Sequence, residues 1–471
     1  MKKIILIIGV VASSLGMTGC SNDFLDNPTA TDLVSEQVAF GSKEGITAVM
    51  AGIIRQSRGQ YTSVDTANLG SIFFTRSLKG NDLIQSNNWF GSDYEQTNRE
   101  PTYRRTLFSW QFPYELASRF TLFIEGVKNS KADMTEDERN AFLAQGYAYR
   151  AFLYFQLSLE FQQTYTFDPN LPAPPIYREG GSLEGRPMST MKEMYEFILS
   201  DLDKAVALGS YDRIDKSYMN KEVAYALQAQ VYQVMGNWVK AEQAAHNAYG
   251  GNPAAVLNAS QYGNGFNEMN NTDWLFASPQ SDDQSAYYYT AIFPFTDFTT
   301  TGYRTTYVNS NFVNLFSNTD VRKLFTKMPQ NDWRSYTTTK FKFNFGSDVP
   351  IIRYPEMILI EAEALYNQGK TTAAHDLLFT LQKNRDAAAV KSTNTGSALL
   401  EEILIERRKE MYGENGVEWF DAKRLRRGIT RSSNHRIVVN LAPDDKRFVL
   451  KVPQAEIDAN PNIDESVNNG K

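Results

Sequence analysis

Apolar residues recur at helical spacing through much of the chain. Phe142, Tyr149, Phe152, Leu153 and Leu157 follow Thr135-Glu136-Asp137-Glu138, a capping box whose threonine and glutamate each satisfy a free backbone amide. Thr190 and Glu193 form a second box ahead of Met194, Ile198, Leu202 and Val206. Between these two helices, residues 165–187 are rich in Pro and Gly and predict a long loop. Further on the pattern repeats: Ala229, Tyr232, Gly236, Ala241 and Ala248 match Ala362, Leu365, Gly369, Ala374 and Leu381 in spacing. Small residues that let two helices approach, with a glycine at the turn, give the spacing of a tetratricopeptide-type hairpin. From about residue 250 to 350 the periodicity weakens, and Asn, Gly, Ser, Thr, Tyr and Phe dominate. Within it, the alternation Lys340-Phe341-Lys342-Phe343-Asn344-Phe345 predicts brief strands. Val452-Pro453 followed by Glu456-Ile457 predicts a closing strand and a short helical turn. The expected fold is mainly α: a tetratricopeptide-like helical repeat scaffold with a loop-rich, aromatic-rich irregular region and a few short strands. An irregular insertion of that length in a helical protein is usually functional.

The first residues change the picture. Lys2 and Lys3 precede an apolar run, Ile4 to Val11, and small residues lead to Gly19-Cys20. This is the pattern of a secretory signal peptide, and the run is shorter than the roughly 20 residues a membrane-spanning helix needs. Cys20 is the sole cysteine, so no disulfide can form within the chain. Met17-Thr18-Gly19-Cys20 resembles a lipobox, with Met17 where Leu is usual. The expected organisation is a signal peptide over 1–19, a lipidated tether over 20–31, and one globular domain over 32–471 with its insertion at about 250–350. A diacylglycerol and an N-acyl chain on Cys20 exceed what stable anchoring requires. Loss of Lys2 and Lys3 takes the formal charge from −6 to −8, and an acidic chain argues against nucleic acid as partner.

Catalytic motifs are absent from the sequence. The three histidines, His246, His375 and His435, form no metal-binding spacing, and neither a nucleophile elbow nor a phosphate-binding loop occurs. No cofactor or metal is expected. Paired carboxylates carry no specificity among 54 acidic residues. The loop aromatics are more informative. Trp89, Phe90 and Tyr94 form one group; Tyr287, Tyr288, Tyr289, Phe293, Phe295, Phe298, Tyr303 and Tyr307 form another, followed by Trp333 and Tyr336. Interleaved with Asn, Thr, Asp and Arg, such rings suit sugars, whose apolar faces stack while amides and carboxylates take the hydroxyls.

Several segments, in order, resemble the RagB/SusD family of outer-membrane nutrient-uptake lipoproteins. They are Cys20 followed by Phe24-Leu25-Asp26 and Pro28; Tyr147 to Tyr154; Met191 to Ala205; Asn220-Lys221 leading into 224–248; Arg353 to Ala364; Glu406 to Glu410 with Trp419 to Arg424; and Val452 to Ile457 with Asn460-Pro461. Val452-Pro453 stands where the family usually has Ile-Pro, and residues 413–418 are looser than its compact pattern. Arg353, Glu361, Glu406, Arg407 and Asp421 read as partly buried ion pairs between helices. The resemblance implies four tetratricopeptide-like units on the cell surface, anchored in the outer membrane by lipid. It implies capture of an oligosaccharide without cleavage and its delivery to a SusC-like TonB-dependent transporter. By region it places ligand contacts at Asn81, Asp82, Trp89, Phe90, Tyr94, Tyr288, Tyr303, Arg304 and Tyr307. A peptide-binding RagB-type protein and a surface glycoside hydrolase are the alternatives.

Overall fold

The computed structural model describes residues 36–59, 61–181, 184–209, 212–280 and 292–471. Cys20, the leader and the tether therefore lie outside the described residues. Helices make the scaffold: α1 (Lys43–Arg58), α2 (Leu69–Leu78), α3 (Arg104–Asn129), α4 (Glu136–Phe161), α5 (Met191–Ala207), α6 (Lys221–Met235), α7 (Trp238–Tyr249), α8 (Tyr354–Asn367), α9 (Thr371–Arg385), α10 (Ser397–Met411), α11 (Val417–Arg424) and α12 (Gln454–Ala459). From α3 to α9 each helix packs on the next, and α10 returns to pack on α8. Both capping boxes form. The Thr135 hydroxyl accepts from the Glu138 amide at 3.2 Å while Glu138 accepts from the Thr135 amide at 2.9 Å. Thr190 and Glu193 do the same at 3.1 and 2.8 Å. The C-terminal part of α4, Ala144 to Phe161, is buried on every side, which marks it as the central helix.

The two hairpins recognised from spacing close in the same way. α6 ends at Gly236 and α8 runs to Gly369, with left-handed φ of 69° and 74°. The Asn237 amide donates to the Tyr232 carbonyl at 2.9 Å, and the Lys370 amide donates to the Leu365 carbonyl at 3.0 Å. Both are the six-to-one bond of a Schellman turn, which needs a residue that tolerates positive φ. Ala229, Ala241 and Ala248 are wholly buried, as are Ala362, Ala374 and Leu381.

The irregular region is bounded by an antiparallel pair, β2 (Trp274–Ser278) against β6 (Val349–Arg353). Inside it lie β3 (Thr306–Val308), β4 (Phe325–Lys327) and β5 (Tyr336–Thr338), the last two paired with each other. Its rings form a second core with Phe74, Phe90 and Tyr94, separate from the main helical core. Residues 340–345 are not a strand, although the expected alternation of burial survives through Phe341, Lys342 and Phe343. The buried ammonium of Lys340 fixes this segment instead, donating to Glu414 at 2.6 Å and to the Tyr412 carbonyl at 3.0 Å. At the C-terminus α12 is the expected helical turn. No strand precedes it, because the Val452 amide donates to the Asn468 side chain rather than to a ladder.

A buried ionic network joins this region to the helices. Glu410 on α10 accepts from Arg322, Arg353 and Arg385 at 3.1, 2.9 and 3.0 Å, and all four side chains are essentially unexposed. Asp273, Asp320, Glu406 and Glu414 with Lys340 and Lys409 complete it, so five cations face five carboxylates. Burial alone would raise the Glu410 carboxyl; the three guanidiniums hold it well below the usual carboxylate range. Of the residues expected in ion pairs, Arg353, Glu406, Arg407 and Asp421 form them and are deeply buried, whereas Glu361 faces Tyr249 and the His246 ring. Arg407 bridges Asp421 at 3.1 Å and Glu356 at 3.5 Å, and Glu361 accepts from the Tyr249 hydroxyl at 2.5 Å.

Two stability predictions follow from these contacts. Gly369→Ala should cost about 1–2 kcal/mol in urea unfolding. No atom lies within 4 Å of the added Cβ, so the loss would come from the backbone alone. Glu410→Gln should cost about 3–5 kcal/mol by leaving buried guanidiniums uncompensated. Glu401→Gln, which breaks an exposed pair with Arg427, should stay within about 1 kcal/mol. Equal effects of the two carboxylate variants would show that burial does not set the cost.

Candidate functional site

The site is built on a short ladder that joins two stretches more than 200 residues apart. β1 (Leu83–Gln85) pairs antiparallel with β3, matching Leu83 to Val308, Ile84 to Tyr307 and Gln85 to Thr306. The Ser86 amide donates to the Thr305 carbonyl at 2.9 Å, and the Asn309 amide to the Asp82 carbonyl at 3.0 Å, extending the pairing at both ends. The Gln85 amide group, unexposed, donates to Asn88 at 2.6 Å and to the Thr305 hydroxyl at 3.1 Å. This fixes the turn that presents Trp89.

Trp89 is 39% exposed, and its ring lies 4.5 Å from that of Tyr303. Phe295 backs both rings, at 6.3 and 4.8 Å. Phe295 in turn packs edge-on against Phe90 at 5.1 Å, and Phe90 against Phe74 at 4.9 Å. An open aromatic pair therefore rests on three buried rings. Tyr307 carries a second half-exposed group, with Phe298 at 5.0 Å and Trp333 edge-on at 5.3 Å. The Arg334 guanidinium lies 5.4 Å from the centre of the Trp333 ring. Arg304 is exposed and held at φ 51°, a left-handed conformation costly for a side-chain-bearing residue. Its guanidinium donates to the Thr300 carbonyl at 2.7 Å, closing the turn that carries Tyr303.

The expected ligand residues therefore divide. Trp89 and Tyr303 come together with surface to offer, Arg304 is exposed beside Tyr303, and Tyr307 lies in the second half-exposed group. Phe90 and Tyr94 are wholly buried and serve as support. Asp82 is 5% exposed and faces Arg408; Asn81 donates its side-chain amide to Glu418 at 2.8 Å. Tyr288 lies outside the described residues. The residues that hold the early loop from behind carry no local signal in the sequence. His435 is central among them. Its Nδ1 faces the Tyr94 hydroxyl at 3.0 Å, and its Nε2 faces the Asn309 side-chain amide at 2.8 Å. Asn309 also donates to the Asn81 carbonyl at 2.9 Å, and that carbonyl lies 3.2 Å from Nε2. Arg431 stacks over Tyr94 at 4.1 Å and donates to the Leu78, Gly80 and Tyr94 carbonyls. Among the described residues no cluster of His, Cys, Asp and Glu is arranged to hold a metal ion, and no helix is long and apolar enough to cross a membrane.

Two family models match the sequence. One, described as "Starch-binding associating with outer membrane", matches residues 23–233; the other, described as "SusD family", matches residues 246–470. The chain belongs to the SusD/RagB family. No curated protein matches it. Solved SusD-like structures share its fold. A SusD-like carbohydrate binding protein from Bacteroides vulgatus is 23% identical with a TM-score of 0.81, over 90% of this chain and 98% of that one. A SusD superfamily protein from Bacteroides thetaiotaomicron is 22% identical with a TM-score of 0.80, over 90% and 99%. Surface glycan-binding protein A of Bacteroides thetaiotaomicron, solved in complex with laminarihexaose, is 17% identical with a TM-score of 0.70, over 89% and 98%.

His435 makes the support of this SusD-like site sensitive to acid. Burial, aided by the charge of Arg431, lowers its imidazole to about 3, against the pull of the Asn81 carbonyl. An unfolded histidine titrates near 6.5, so between about pH 6.5 and 3 the unfolded chain binds the extra proton. The neutral ring's contribution is full above pH 6.5 and is lost as pH falls through that window, by up to about 1.4 kcal/mol per unit. Urea midpoints measured from pH 7.5 to 4.5 should fall less steeply for His435→Gln than for the unaltered protein. Parallel curves would remove His435 as the cause.

Proposed function

We propose that this protein is a lipoprotein of the outer-membrane surface that captures oligosaccharides and passes them, uncleaved, to a SusC-like TonB-dependent transporter. Residues 1–19 would be its signal peptide, Cys20 its lipidated residue, 20–31 its tether, and 32–471 one globular domain whose insertion at about 250–350 contributes to the site. The observation that carries the reading is the open Trp89–Tyr303 pair on its buried aromatic base. Such a surface stacks on the apolar face of a pyranose, and Arg304 offers donors to its hydroxyls. The description of the matching N-terminal family model and the laminarihexaose bound by one structural relative support a glycan as ligand.

The carboxylates near the platform favour binding over hydrolysis. A glycosidase needs one carboxylic acid raised toward neutrality at the cleft, with a second carboxylate near it. Asp297 is lowered: burial opposes this, but Thr299, Thr300 and the Phe343 amide donate to it. Asp332 is lowered by its hydrogen bonds from Arg334. Burial pushes Asp82 up to about 7 despite Arg408 beside it, yet that carboxylate is sealed from the platform side chains by its own burial.

Calorimetry against a panel of oligosaccharides and peptides, with analysis for products, tests the proposal. Binding of at least one glycan without turnover is expected. Trp89→Ala and Tyr303→Ala should each weaken it by about 1–3 kcal/mol. Turnover, selective peptide binding, or unchanged affinity in both variants would overturn it.

A further inference from the structure

A second concavity lies away from the platform, between α3, residues 177–181 and 184–185, and α12. Its volume is about 540 Å³. Tyr114 stands at the centre of its wall, with Trp110 at 5.2 Å and Tyr154 and Tyr177 edge-on at 5.9 and 5.8 Å. Hydrogen bonds fix the rings. Tyr114 donates to the Pro175 carbonyl at 2.6 Å, Tyr154 donates to the Tyr177 carbonyl at 3.2 Å, and the Trp110 indole donates to Glu456 at 3.1 Å. Glu115, Glu179 and Glu456 line the same space.

Two features separate this cavity from an ordinary aromatic pocket. First, its charge is one-sided. Glu456 accepts from neutral donors, Trp110 and Asn460, and no ion pair among the described residues involves Glu456 or Glu179. Arg119, exposed on α3, offsets Glu115 at 3.0 Å. Burial is the main cause that raises the Tyr114, Tyr177 and Tyr61 hydroxyls; Glu456 adds to it at Tyr114 and Tyr177 and Glu115 at Tyr61, while Arg186 opposes it at Tyr177. Second, no cation of the protein already covers its rings. Arg or Lys covers many rings elsewhere in the protein, such as Tyr94, Tyr262, Phe197 and Trp419. Among the described residues no side-chain cation lies over Trp110, Tyr114, Tyr154 or Tyr177. Electron-rich faces beside uncompensated carboxylates, in a space of small-ligand size, suit an organic cation.

We propose that this cavity is a second binding site, selective for a ligand bearing an ammonium group. Tyr114 and Tyr177, the partly exposed rings, would receive the cation, and Glu179 and Glu456 would supply its counter-charge. The ammonium could belong to an amino sugar or to a lysine side chain. The proposal is independent of the Trp89 platform.

Titration calorimetry on the full chain tests it with four probes: glucosamine, N-acetylglucosamine, lysinamide and its Nε-acetyl derivative. At least one ammonium probe should bind at least tenfold more tightly than its acetylated counterpart, and its source then identifies the ligand class. Glu179→Gln, at an exposed position, and Glu456→Gln, which keeps an oxygen for the Trp110 indole, should together reduce that affinity tenfold or more. Trp89→Ala should leave it unchanged. Failure of both ammonium probes to bind, equal binding of acetylated and free amines, or full affinity in the double Gln variant would refute the site.

Discussion

Glu410 is the carboxylate on which the two halves of the molecule converge. Three guanidiniums reach it, from Arg322 in the irregular region, Arg353 at the end of β6 and Arg385 at the end of α9. Taking charges out of water is expensive, and the expense is offset only when geometry and charge balance are complete. The balance of five against five, with Asp273 and Glu414 sharing Arg353 and Arg385 with Glu410, meets that condition. A hydrophobic seam could have joined the same elements but would tolerate sliding. Fixed bidentate contacts do not, so the irregular region is held in one position relative to α8, α9 and α10.

The site inherits that position. β3 and β5 belong to the region clamped by Arg322 and Lys340, while β1 follows α2, which packs on α11. The ladder between β1 and β3 therefore joins two bodies already oriented by separate contacts. Arg408, between Glu406 and Glu410 on α10, reaches Asp82 just before β1. His435 and Arg431 close the arrangement from behind by binding Asn81, Asn309 and Tyr94. Small changes in the network should thus be felt at Trp89 through named covalent and hydrogen-bonded links.

Much of the scaffold was legible in the sequence because its signals are local. Thr135 with Glu138, Thr190 with Glu193, and the glycines at 236 and 369 act within six residues of themselves, and each does what its spacing predicts. The site was legible only by region. Nothing in residues 81–94 or 303–307 specifies that Ile84 pairs with Tyr307, since a register between distant segments is set by packing that neither contains. Composition also fails to separate Trp89 from Phe90. One is presented by the turn at Asn88 and the other is driven inward onto Phe74 and Phe295. Lys340 misled for the same reason. Its neighbours alternate like a strand, but its ammonium is consumed by Glu414 and the Tyr412 carbonyl far along the chain.

The packing beneath Trp89 bears on how such a platform would work. An exposed aromatic side chain that must be ordered on binding loses rotamer freedom, which subtracts from the contact it makes. Here the ordering precedes any ligand. Tyr303 and Phe295 contact the Trp89 ring, the Arg304 turn holds Tyr303, and the β1–β3 ladder holds both loops. For the glycan reading proposed above, stacking on this surface would be realised with little reorganisation. The wall of the second concavity is ordered in the same way, with the Tyr114, Tyr154 and Trp110 polar groups already bound to protein partners. Tyr114 stays partly exposed on the cavity, while Trp110 and Tyr154 are buried and hold the wall in place. Four glutamates and no Lys or Arg line that cavity, which is why charge should weigh most in what it accepts.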